Sequence, residues 1–107
     1  MEKYEMKFMF DWGSGSCLWS TNGSALELYD YAVLVEKLPI SSSLKATLNY
    51  LINKHNEALD WECPQNDLLW NEDEILLFKA NAVTAYKQLC SELGQEYKIL
   101  LKEDFLI

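Results

Sequence analysis

Residues 71–101 read NEDEILLFKANAVTAYKQLCSELGQEYKILL, and a change of period inside this stretch decides the fold class. Ile75, Phe78, Ala82, Tyr86, Leu89 and Leu93 recur every three or four residues, which gathers them on one face of a helix. Leu76, Val83 and Cys90 widen that stripe. Asn71 followed three residues later by Glu74 resembles a capping box, and Glu72 and Asp73 suit the positive end of the helix dipole. Gly94 stands where a left-handed cap belongs. Beyond it Tyr97, Ile99 and Leu101 occupy every second position, the period of a half-buried strand. A long helix that stops at a glycine and runs into a strand excludes both all-α and all-β folds.

The same two periods recur upstream. Tyr4, Met6, Phe8 and Phe10 alternate with Lys3, Glu5 and Lys7, predicting a first strand. Asp11-Trp12-Gly13-Ser14-Gly15-Ser16 reads as a turn, and Cys17-Leu18-Trp19-Ser20 as a short strand pairing back on the first. Asn22-Gly23 is a further turn signal, and Ala25 to Val35 suits a strand or a short helix, with a partly extended form favoured. After Pro39, the hydroxyls of Ser41 to Ser43 can open a helix. Leu44, Leu48, Leu51, Ile52, His55 and Leu59 form its apolar face, and Pro64 requires it to have ended. The expected architecture is a single α+β domain over residues 1–107: an antiparallel sheet of three to four strands with two helices packed on one face.

Composition narrows the function. Half of the 107 residues are hydrophobic, enough for an independent core, and no apolar run is long enough to span a membrane. Met1 to Phe10 alternates charged and apolar residues instead of forming the apolar block of a secretory signal, so a cytoplasmic location is expected. Seventeen acidic residues against nine basic ones give a net charge of −8, and every basic residue is lysine. Arginine is the residue best suited to forked recognition of phosphate. An acidic surface without it repels a phosphate backbone before contact. Nucleic acid, nucleotides and anionic membranes are therefore excluded as expected ligands, and a basic protein partner is favoured.

The residues that carry chemistry elsewhere are sparse. His55 is the one histidine and lies on an apolar helix face, where a packed ring is the simpler reading than a general base. An enzyme using His55 with a nearby thiol or carboxylate is the alternative, and an accessory subunit is another. Cys17, Cys63 and Cys90 are odd in number and dispersed, which fits free thiols better than a disulfide framework. No two Cys or His residues have the spacing of a structural zinc site, so neither metal nor cofactor is expected. Gly13-Ser14-Gly15-Ser16 precedes no helix and no nearby lysine, so it reads as a hairpin connection and not a phosphate loop.

One segment stands apart. From Glu57 to Glu74 there are seven acidic residues and no lysine, with Trp61 and Trp70 among them. Helix capping accounts for the acids at the helix start, and tryptophans commonly pack inside. An acidic loop bearing aromatics is also the composition of a protein-binding surface. The candidate partner-binding residues are Asp60, Trp61, Glu62, Asp67, Trp70, Glu72 and Asp73.

Two segments carry a resemblance: Phe8-Met9-Phe10-Asp11-Trp12-Gly13 running into Cys17-Leu18-Trp19, and Leu59-Asp60-Trp61-Glu62-Cys63-Pro64 running on to Trp70. With Leu38-Pro39-Ile40-Ser41 before the first long helix, they resemble a group of small bacterial proteins. Members of that group often have arginine-rich helices, which this chain lacks. In size and acidity the chain also resembles the immunity proteins of contact-dependent inhibition and other toxin systems. That resemblance implies a non-enzymatic inhibitor, one that covers the active site or a nearby surface of a basic, nuclease-type toxin domain.

Overall fold

In this computed structural model the residues described are 3–11, 15–58, 62 and 69–102. Their elements, in chain order, are β1 (Tyr4–Phe8), β2 (Leu18–Ser20), α1 (Gly23–Tyr29), β3 (Ala32–Val33), a 3-10 turn (Val35–Lys37), α2 (Ser42–Glu57), α3 (Glu72–Leu93) and β4 (Tyr97–Leu101). The fold is α+β, with the four strands in the order β3-β2-β1-β4.

The sheet is mixed, not purely antiparallel. β1 pairs antiparallel with β2, placing Phe8 opposite Leu18, but β4 runs parallel to β1, with Tyr4 opposite Tyr97 and Phe8 opposite Leu101. A parallel neighbour must be reached by a crossover, and α3 supplies it by carrying the chain back to the Tyr4 end. Alternation in residues 97–101 marks which side chains face inward. It reads the same in either direction, so it is silent on which neighbour the strand takes.

There are also three helices among the described residues, where the sequence suggested two. Asn22, read as a turn residue, is the N-cap of α1, and its side-chain oxygen accepts from Ala25 N at 3.0 Å. Ala25 and Tyr29, four residues apart, are buried, while Leu26 and Leu28 between them are exposed. A seven-residue helix with two buried positions leaves too short a pattern to separate from a strand. Only Ala32–Val33 of this region is extended, pairing with β2 through Leu18 opposite Val33.

The core is the inward face of the sheet meeting the helices. Met6, Phe8, Leu18, Val33 and Ile99 align across the four strands, covered by Leu44, Leu48 and Leu51 of α2 and by Phe78, Ala82 and Leu89 of α3. Each large side chain sealed there contributes about 1.5–3 kcal/mol. Leu76 departs from the expected stripe: it is 65% exposed, because its position on the helix turns it away from the sheet. Tyr86 donates from its hydroxyl to the carbonyl of Ile99 at 2.7 Å, fixing α3 to β4. Ser41 caps α2 by accepting from Leu44 N, and its own N–H and hydroxyl donate to the Glu92 carboxylate at 2.6 and 3.0 Å. Those bonds hold the Glu92 carboxyl below its ordinary range and join the start of α2 to the end of α3. The glycine-serine stretch after β1 leads into a strand, consistent with a hairpin connection. Met9 N donates to Cys17 O across it at 2.9 Å, with residues 12–14 outside the described set.

Two residues adopt a positive φ with extended ψ, a region only glycine enters without strain. Gly94, at φ 78° and ψ −160°, ends α3; Asp30, at φ 63° and ψ −177°, ends α1. Space is open around Gly94, so the backbone alone opposes a side chain there. Gly94→Ala is expected to lose roughly 1–3 kcal/mol and Asp30→Gly to gain about 1 kcal/mol, read as opposite shifts of the urea unfolding midpoint.

Candidate functional site

The acidic segment lies between α2 and α3 in the chain, and its two ends are among the described residues. α2 finishes at Glu57, with Ala58 N donating to His55 O at 3.1 Å. The carbonyl of Ala58 then accepts from Leu69 N at 2.8 Å, so the chain leaves and returns at one point. Next to Leu69, the indole of Trp70 packs on Phe78 with centroids 5.1 Å apart. Asn71 and Glu74 form the expected capping box: Asn71 Oδ1 accepts from Glu74 N at 2.9 Å, and a Glu74 carboxylate oxygen accepts from Asn71 N at 3.3 Å.

Of the seven residues expected to bind a partner, Trp70, Glu72 and Asp73 come together at the opening of α3. Glu72 and Asp73 are exposed, and Trp70 is half-buried, packed against the core. Glu62 is exposed. Asp60, Trp61 and Asp67 lie outside the described residues, as does Cys63.

Beside Trp70 the structure contains a feature the sequence reading did not identify. Tyr50 and Lys54, one turn apart on α2, face Glu74, Leu77 and Asn81 of α3 across a groove of about 150 Å3. Trp70 closes one end, and Leu51 and Phe78 make the floor. The Lys54 ammonium lies 5.8 Å from the Tyr50 ring centroid and 3.8 Å from Glu57. Tyr50 and Leu77 remain 56% and 63% exposed. The available signal was Leu77 itself, an apolar residue outside the core stripe of α3.

The side chains considered for catalysis are placed otherwise. His55 is 1% exposed, its ring 5.5 Å from Phe10 and 5.8 Å from Phe78, as a packed histidine would be. Cys17 is fully buried, and loss of hydration pushes its thiol from the ordinary 9.0 up to about 12. A thiol needs its anionic form to act as a nucleophile, so Cys17 is inert in the folded chain. Among the described residues no group of three His, Cys, Asp or Glu is arranged to hold a metal ion, and no helix is long and apolar enough to cross a membrane.

The chain is thus an α+β domain that buries its histidine and carries carboxylates and exposed apolar side chains where α2 and α3 meet. Residues 4–104 match the family described as Serratia CdiI immunity protein-like, and the chain belongs to that family. It is thereby grouped with the bacterial toxin inhibitors of contact-dependent inhibition systems. No curated protein matches the chain.

The buried thiol gives a direct check. Cys17 is expected to stay unlabelled by a thiol reagent at neutral pH in the folded protein and to react once the chain is unfolded, as read by peptide mass spectrometry. Its raised pKa also sets a sign. Its contribution to stability is complete below the unfolded-chain value of 9.0 and is lost as pH rises towards about 12, because only the unfolded thiol ionises in that window. Urea titrations across that range in wild type and Cys17→Ala should show a shallower decline in the variant.

Proposed function

We propose that this chain is an immunity protein that binds and neutralises a basic, nuclease-type toxin domain in the cytoplasm, through the acidic end of the molecule and without turnover. The observation that carries the reading is charge placement in a member of an immunity family. Seven acidic residues and no lysine lie between Glu57 and Glu74, in a chain of net charge −8 without arginine. In this reading Asp60, Glu62, Asp67, Glu72 and Asp73 take the place of substrate phosphates against the toxin's cationic site. Trp61 and Trp70 supply desolvated anchors, and the complex protects by dissociating slowly. Charge of this sign speeds encounter with a cationic partner and discourages nucleic acid as a competing ligand.

The test takes as the candidate toxin the C-terminal domain of the protein that the reading frame immediately upstream encodes. Titration calorimetry should show tight binding that weakens with salt without vanishing. Asp60→Lys with Glu62→Lys should weaken it by about tenfold or more at low salt, with the melting temperature nearly unchanged. Affinity equal to wild type in that double variant would remove the acidic loop from the interface. A neighbouring toxin domain that is acidic, or that the chain does not bind, would overturn the reading.

A further inference from the structure

The groove beside Trp70 combines two properties that arise independently. Its walls present exposed apolar surface from Tyr50 and Leu77, which neither α2 nor α3 needs for its own packing. Its surroundings are acidic. Glu74 lines it, Asp73 lies one turn before Leu77 on the same side of α3, and Glu57 stands next to Lys54. Three carboxylates thus belong to this part of the surface against one ammonium, which is already within ion-pair distance of Glu57.

We infer that this groove receives one apolar side chain, aromatic or branched aliphatic, projected from a lysine- or arginine-bearing segment of the toxin domain. The inference rests on the function proposed above and adds the point of insertion. A cavity near 150 Å3 accommodates a benzene-sized group, which fits a single side chain and not a helix. The floor is rigid: Phe78 is held between Trp70, Phe10 and His55, with ring centroids 5.1, 5.1 and 5.8 Å away. An inserted group therefore meets a preformed surface, the condition under which small contacts bind well. The acidic surroundings select the flanks of the incoming segment. They also disfavour a second copy of this chain, whose own net charge is −8.

The experiment titrates the upstream-encoded toxin domain into wild type, Leu77→Asp, Tyr50→Ala and a control, Leu28→Asp, which alters an exposed leucine on α1. Leu77 and Tyr50 are more than half exposed, so both variants should melt like wild type. The expected result is a loss of at least about tenfold in affinity for Leu77→Asp and Tyr50→Ala. For Tyr50→Ala, a neutral change, the loss should be the same at low and high salt, and Leu28→Asp should stay within about twofold of wild type. Wild-type affinity in both groove variants, with tight binding by wild type, overturns the groove while leaving the inhibitor reading intact. No binding by wild type itself overturns both. Sedimentation of the free chain as a dimer that Leu77→Asp dissociates makes the occupant a second copy and also overturns the inference.

Discussion

The parallel pairing of β1 with β4 is the constraint on which the remaining structure depends. It places the first strand at the centre of the sheet, flanked by the hairpin on one side and by the last strand on the other. Because the two strands run the same way, α3 must cross the sheet before β4 begins, and α2 must lie beside it. The inward faces of Met6, Phe8 and Ile99 are then covered by helix, and the end of α2 lies beside the start of α3. The candidate site is therefore a consequence of the crossover: its base is where two helices are joined, and Ala58 and Leu69 are hydrogen-bonded because the helices arrive side by side.

At that end, the residues that stabilise α3 are also those proposed for recognition. Glu72, Asp73 and Glu74 sit in the first turn of α3, where the helix dipole favours negative charge, and Glu74 also completes the capping box. A carboxylate stabilised by its own helix can remain exposed at little cost to folding. Trp70 is similar: its ring packs on Phe78 and also lines the groove, so one residue serves both the core and the surface beside it. His55 shows the opposite outcome. Packed beside Phe10 and Phe78, it contributes surface to the core and is 1% exposed.

Much of this was legible in the chain, and particular residues show why the remainder was not. The N-caps at Ser41 and Asn71, the glycine at 94 and most of the buried stripes of α2 and α3 depend on local chemistry repeated over many residues, so they carry over from sequence to structure, with Leu59 of the α2 stripe outside the described residues. α1 was hidden because two buried residues cannot display a period. Leu76 was misread because in a chain-long list of apolar residues it sits beside the stripe, and only the placement of the sheet turns it outward. Of the site, Trp70, Glu72 and Asp73 were legible as a run of acid and aromatic character. Tyr50 and Leu77 were not, since they lie 27 positions apart and meet only when the helices pack.

Sequence by itself determined the two long helices and their capping, the strands at either end of the chain, the acidity and the exclusion of arginine, because each is a property of neighbouring residues or of composition. Tertiary structure alone decided the parallel direction of β4, which rings enclose His55, and the groove between α2 and α3. Direction, enclosure and concavity are relations between segments distant along the chain, and a side-chain pattern that specifies which face is apolar leaves open what that face will meet.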